Sequence, residues 1–223
     1  MAKIYCIANQ KGGVGKTTTA VNLAAALSQL SFNVLLVDLD PQGNATTGSG
    51  LEKNNLVQSV YEVLLDRADI KKVITHSTSG YDILGSNRKL AAAEEELLSA
   101  ARKELRLKTK LDEVSGQYDV IIIDCPPTLS ILTINAFCAA DGLIIPMTCE
   151  YYSLEGVSDL LLSIRAVREQ VNSGLVITGL LRVKFDPRVT LQREVSEQLS
   201  GYFGSSVFSS VIPVSYTHLT LPT

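Results

Sequence analysis

Residues 3–30 read KIYCIANQKGGVGKTTTAVNLAAALSQL, and the fold is decided there. Residues 3–8 are a short apolar run suited to a buried strand, and residues 19–30 have the composition of a helix. Between them stands Gln10-Lys11-Gly12-Gly13-Val14-Gly15-Lys16-Thr17-Thr18. A glycine-rich turn at that junction puts backbone N–H groups and a helix dipole around an anion, so it reads as a phosphate cradle. Glycines let the main chain wrap a β-phosphate, Lys16 neutralises β/γ charge, and the Thr17 hydroxyl suits Mg²⁺. The ordinary loop of this kind has glycine where this chain has Gln10, and an additional lysine, Lys11, stands directly ahead of the double glycine.

Working outward, further apolar runs at residues 34–37, 120–123, 143–145 and 177–183 alternate with helix-length segments. That alternation predicts βαβ units and an α/β fold, a doubly wound, mostly parallel sheet flanked by helices. Residues 154–171 repeat apolar positions at helical spacing behind Ser153 as N-cap. Residues 48–55 read as a surface connection, and residues 90–111 as one helix with Glu94, Glu95 and Glu96 on a solvated face.

Two further segments carry acids at strand ends. VDLDPQGN (37–44) sets Asp38 and Asp40 at the carboxyl edge, where α/β sheets bind ligands. A carboxylate at Asp40 suits orientation of an attacking water, with Asp38 supporting the Mg²⁺ shell. Asp40 ahead of Pro41 is equally a turn opener. YDVIIIDCPP (118–127) is a buried strand ending in Asp124, placed to reach Mg²⁺ through water. The two prolines after it suit either a switch segment or a plain β-turn.

The chain has 223 residues, 46% of them hydrophobic, enough for one sizeable core and too few to divide with assurance. Its net charge of −3 excludes a globally basic polyanion binder, so any nucleic-acid contact must come from a local patch. The N-terminus lacks the basic region and cleavage site of a signal peptide, and no apolar run reaches bilayer length. Cys6, Cys125, Cys138 and Cys149 show no C-x-x-C spacing and only two histidines accompany them, which fits reduced thiols in a cytosolic protein. The last ten residues, VSYTHLTLPT, follow the strand-like VFSSVIP without period or charge. VSYTHL is also what one frame of a common transposon-derived sequencing adapter encodes. The expectation is one domain over residues 1–213, short of its native C-terminal end, and a non-native tail over residues 214–223.

KGGVGKTT, DLDPQGNAT, YDVIIIDCPP and EYYSLEG, in that order, resemble the ParA family of DNA-partition ATPases, including its chromosomal Soj branch, over residues 1–213. The resemblance implies a deviant Walker A P-loop ATPase that uses ATP and Mg²⁺, cytoplasmic and nucleoid-associated, with no membrane partner. Lys11, Gly12, Gly13, Val14, Gly15, Lys16, Thr17 and Thr18 would hold the nucleotide, and Thr17 and Asp124 the metal. Lys11 is then the signature lysine that reaches the partner's phosphates in an ATP-dependent homodimer, and Asp40 positions the hydrolytic water. The family's dimer binds double-stranded DNA nonspecifically and is stimulated by a ParB-like protein. Arg188, in Phe185-Asp186-Pro187-Arg188-Val189-Thr190, inherits a DNA contact, although chemistry alone favours an ordinary solvated arginine. The family's pattern is broken at Arg182, Val183 and Lys184, where small polar or Met side chains are more usual near the adenine. It is broken again after Ile212-Pro213, where a loop with adenine and basic contacts is expected. A start at Met1 with no helix-turn-helix ahead of the P-loop argues against operator binding. A MinD-like membrane-cycling ATPase is the alternative. It calls for a basic amphipathic C-terminal helix, and DPQGN and the FDPR loop point away from it. A metabolic P-loop transferase or ligase would need a substrate pocket beside the γ-phosphate.

Overall fold

The computed structural model describes residues 1–150 and 155–214. In chain order its elements are β1 (Lys3–Ile7), α1 (Lys16–Gln29), β2 (Val34–Asp38), α2 (Asn44–Gly48), α3 (Val60–Leu64), α4 (Ile70–Val73), β3 (Thr75–His76) and β4 (Asp82–Leu84). They continue as α5 (Leu90–Leu98), α6 (Arg106–Asp112), β5 (Val120–Asp124), α7 (Ile131–Ala139), β6 (Gly142–Thr148), α8 (Glu155–Gln170), β7 (Val176–Phe185), α9 (Thr190–Phe203) and β8 (Val207–Pro213). The strands form one sheet in the order β3-β4-β2-β5-β1-β6-β7-β8, parallel throughout except where β3 meets β4. This is the doubly wound α/β arrangement expected from the alternating pattern.

The central strands are apolar along most of their length because helices cover both faces, and their charged residues stand at the strand ends. Along β5, Ile121 and Ile123 join the larger core, while Ile122 turns to the smaller core beneath α1. Along β2, Leu35 and Val37 face the larger core and Val34 and Leu36 the smaller. Helix α1 presents Ala20 and Ala24, both fully buried, so its backbone approaches the sheet closely.

Register does more than build the core. It aligns Ile7 with Asp124 and Asp124 with Asp38, so the carboxyl ends of β1, β5 and β2 finish level on one edge.

The expected single helix over residues 90–111 is broken. Helix α5 stops at Leu98, Arg102 takes a left-handed backbone (φ 50°), and residues 103–105 form a 3₁₀ turn before α6. Buried Asn135 of α7 clamps the break, donating to the Lys103 carbonyl (2.8 Å) and accepting from the Leu107 N–H (3.0 Å). That long-range clamp overrides local helix propensity. Glu96 also departs from a purely solvated face, since it accepts from the Tyr61 hydroxyl (2.7 Å) and pairs with Arg67 (2.6 Å). VFSSVIP is a strand, β8, paired in parallel to β7. Helix α8 runs from Glu155 to Gln170; Ser153, Leu154 and residues 215–223 of the suspected tail lie outside the described residues.

Phe137 is fully buried on α7, whose C-terminal carbonyls at Phe137 and Ala140 are capped by the Asn172 amide (2.9 and 2.8 Å). Phe137→Ala should lower stability by about 3–5 kcal/mol, read as a lower urea midpoint, because the surrounding sheet and helices relax only partly around the lost ring.

Candidate active site

The loop between β1 and α1 is shaped by residues 9–15. Asn9, nearly fully buried, donates from its amide to the Pro146 carbonyl (2.7 Å) and accepts the Lys11 N–H (3.0 Å). It thereby pins the loop to β6. Gly13 and Gly15 have φ values of 72° and 76°, left-handed conformations that a side chain with a Cβ adopts only under strain. Helix α1 begins behind Gly15 with no side-chain cap and no acid in its first turn. Its first N–H groups and its dipole therefore carry no built-in anion to neutralise them.

Lys16 is buried at the head of α1, and its ammonium donates to the Lys11 carbonyl (3.2 Å). Burial lowers its pKa, and nearby Asp124, Cys125 and Asp40 pull it back up. Asp124 is fully buried, and neither carboxylate oxygen has a hydrogen-bond partner in normal geometry. Burial, and then the neighbouring charge of Asp38, raise its pKa well above the carboxylate range; the Thr17 hydroxyl and Lys16 oppose that rise. A buried, unpartnered acid beside an anion cradle and a threonine hydroxyl is a donor set that a hard cation fits, and Mg²⁺ in particular binds through few carboxylates. Among the described residues no group of three or more His, Cys, Asp or Glu side chains holds a metal by itself.

Asp38 is spent on architecture. Its carboxylate accepts the Thr46 N–H (2.8 Å), the Thr46 hydroxyl (2.7 Å) and the Asp40 N–H (3.1 Å). Burial raises its pKa to about 6 in spite of the Thr46 hydrogen bonds. The Ser86 hydroxyl donates to the Asp40 carbonyl (2.8 Å), so the Asp40 backbone is gripped from two sides. Its own carboxylate accepts only the Gln42 N–H (2.9 Å) among the assigned bonds and remains partly exposed.

The structure thus brings Gly12, Gly13, Val14, Gly15, Lys16, Thr17 and Thr18 together with Asp40 and Asp124. Lys11 lies at the same edge, its ammonium paired with Glu150 of its own chain. That pairing holds the Glu150 carboxyl below its usual range. Arg188 sits apart on the loop after β7. Its guanidinium forks onto Asp186 (2.9 and 2.7 Å) and holds that carboxyl down at about 2. Arg182 donates to the Ser196 hydroxyl and the Phe208 carbonyl (both 2.8 Å). An apolar cavity of about 570 Å³ opens beside Thr18, walled by Leu23, Ile144, Leu181, Phe208 and Ile212. The four cysteines are buried free thiols.

Sequence reading missed Asn9 and Glu150, whose roles depend on β6. The polar residue immediately after the first strand was the available signal for Asn9.

Asp124→Asn should raise the urea midpoint of the ligand-free protein at pH 8, by about 1–3 kcal/mol, since it removes a buried charge with no hydrogen-bond partner. The sign follows from the raised pKa: the folded state holds the proton more tightly than the unfolded chain, so stability falls as pH rises from the unfolded value. The advantage of Asn should therefore shrink toward zero near pH 4.

Comparison with known proteins agrees with this geometry. Residues 2–177 match the AAA domain family. The chain is 49% identical over 214 residues to the sporulation initiation inhibitor protein Soj of Bacillus subtilis, spanning 96% of this chain and 85% of that protein. It is 44% identical to the chromosome partitioning protein ParA of Myxococcus xanthus, spanning 96% and 76% respectively. A structure described as cobyrinic acid a,c-diamide synthase from Mycobacterium smegmatis, with bound ADP and magnesium, superposes with a TM-score of 0.93 at 39% identity, covering 96% of this chain and 88% of that one. A plasmid partition protein from Borrelia burgdorferi superposes with a TM-score of 0.83 at 30% identity, covering 97% and 91%. Matched over 96% of its residues to the Soj and ParA relatives at 49% and 44% identity, the chain belongs to the ParA/Soj family of P-loop ATPases.

Proposed function

We propose that this ATPase is a nucleotide-driven partition switch that dimerises on Mg²⁺–ATP and, as a dimer, holds duplex DNA without regard to sequence. One observation carries the reading: a fully buried Asp124 with no hydrogen bond in normal geometry, set beside Lys16 and Thr17 under a glycine loop and an uncapped helix. Such a site is built for a polyphosphate and its cation.

In this reading Lys16 and the loop N–H groups of residues 12–18 bind the β- and γ-phosphates, and Thr17 and Asp124 hold Mg²⁺. When bound, the metal neutralises charge that builds on the phosphate oxygens during transfer. Asp40, its backbone fixed by Asp38 and Ser86, orients the attacking water. Lys11 exchanges Glu150 for phosphate oxygens of a second copy, an exchange favoured by the partial exposure of that pair. The name of the chromosome partitioning relative ParA supports a partition role; in the same proposal a ParB-like protein stimulates turnover at the cytoplasmic nucleoid.

A chain of net charge −3 is a poor polyanion binder as a monomer. A two-fold dimer presents each basic cluster twice on one face and gains from doubled counterion release. Arg188 is the named contact. Its side chain is exposed on the loop while Asp186 is not, so the guanidinium can reach a phosphate from its fork.

The diamide-synthase description attached to one superposed structure favours a second reading, an ATP-dependent amide-forming enzyme. Glutamine- and ATP-dependent amidation of a carboxylic acid substrate, with no effect of DNA on turnover, would establish it over the partition reading.

Asp40→Ala should leave nucleotide affinity within a few fold of wild type while lowering kcat by about 10²–10⁴-fold, as befits a residue acting only on the attacking water. Wild-type turnover in that variant removes Asp40 from the mechanism. In filter-binding with Mg²⁺–ATP, duplex affinity should fall steeply with salt. Arg188→Ala should weaken it equally for all sequences and reduce the salt slope by about one unit per chain. Equal binding with ADP defeats the switch, and ATP-dependent recruitment to anionic liposomes instead of DNA selects the MinD-like reading.

A further inference from the structure

Lys184 stands at the end of β7 with a left-handed backbone, φ 52°, one of four such non-glycine residues among those described. The β7–β8 register shifts between Val183 and Phe185, on either side of it. A local irregularity of this kind re-aims a side chain, and here the aim is specific. The Lys184 ammonium donates to the Gly13 carbonyl across the mouth of the phosphate loop, at 2.8 Å. Val183, one residue earlier, places a methyl group 4.0 Å from where a Cβ on Gly15 would lie. The end of β7 therefore touches the cradle twice, once by packing and once by charge.

The residues that follow carry the Arg188 loop. Asp186 donates its N–H to the Gln192 side chain (2.7 Å), and its carboxylate receives both the Arg188 N–H (2.9 Å) and the Arg188 guanidinium. From the Gly13 carbonyl to the Arg188 guanidinium the path runs through Lys184, a single peptide step to Phe185, and the Asp186 fork. Lys184 also adds to the positive charge acting on Glu150, so it belongs to the electrostatic cluster that holds Lys11.

We propose that Lys184 is a positioning residue that ties the phosphate loop to the Asp186–Arg188 loop, so that phosphate charge entering the cradle is felt at Arg188. This rests on the nucleotide reading of the P-loop given above. The Gly13 carbonyl engages one of the three N–H donors of the ammonium, and a phosphate placed beside Gly13 competes for that cation. Any shift of Lys184 is passed to Asp186, two residues on, because the left-handed backbone at Lys184 itself has few other conformations to adopt. Two places on the surface, one binding nucleotide and the other carrying Arg188, then share one bistable element, the minimum that coupling requires.

The test is hydrogen exchange read by mass spectrometry on peptides spanning residues 185–190, with and without Mg²⁺–ATP, in the wild-type chain, Lys184→Met and Lys184→Arg. Calorimetry on the same samples measures nucleotide binding independently. In the wild type, Mg²⁺–ATP should slow exchange there by at least about threefold, a local protection change of the kind exchange resolves. Lys184→Arg should keep the effect, and Lys184→Met should lose it while still releasing heat on titration with ATP. The same slowing in Lys184→Met overturns the proposal, as does a wild type that binds ATP calorimetrically with no change at residues 185–190. A wild type that gives no binding heat fails differently: it removes the nucleotide assignment of the P-loop, and the coupling with it.

Discussion

A buried carboxylate with no hydrogen bond in normal geometry is tolerated only opposite positive charge, and Asp124 at the end of β5, with the Thr17 hydroxyl nearby, is that group. Everything at the carboxyl edge of the sheet is arranged around it. Asp38 sits opposite it in register and adds negative charge, Asp40 adds more, and Lys16 is the buried cation that offsets them. The lysine is in turn fixed by the Lys11 carbonyl and the start of α1, and the loop that carries both is pinned by Asn9 to β6. Three neighbouring strands thus meet in one electrostatic balance, which a polyphosphate with its cation completes.

The division of labour between Asp38 and Asp40 follows from the strand pleat and from hydrogen bonding. Asp38 is walled in and saturated by Thr46 and the Asp40 N–H, so its carboxylate braces the turn. Asp40 lies beyond the strand end, partly open, with its backbone braced by the acid two residues before it. A rigid main chain under a side chain with little to hold is the arrangement that positions a reacting group without neutralising it.

Much of this was legible in the sequence. Strands covered on both faces are apolar along most of their length, so β1, β2, β5, β6 and the middle of β7 stand out as short runs, and the left-handed turns at Gly13 and Gly15 declare themselves by residue type. The departures all depend on distant partners. The break between α5 and α6 is imposed by Asn135 from another helix, and nothing in residues 90–111 announces it. Lys11 is visible as an additional lysine, but its pairing with Glu150 exists only because β6 ends beside the P-loop. Arg182 reads as a residue near the adenine, yet its guanidinium straps β7 to α9 and β8 through the Ser196 hydroxyl and the Phe208 carbonyl.

The order of strands in the sheet has a consequence for synthesis. β1 is made well before its neighbours β5 and β6, with Lys3 paired to Val120 and Tyr5 to Gly142. At a translation rate of about 5–20 residues per second, β1 and its glycine loop wait on the order of ten seconds for those neighbours to leave the ribosome. During that interval an apolar strand with both edges unpaired is a template for wrong pairings. A sheet of this order therefore leaves the nucleotide loop without its supporting strands until β5 and β6 have been made.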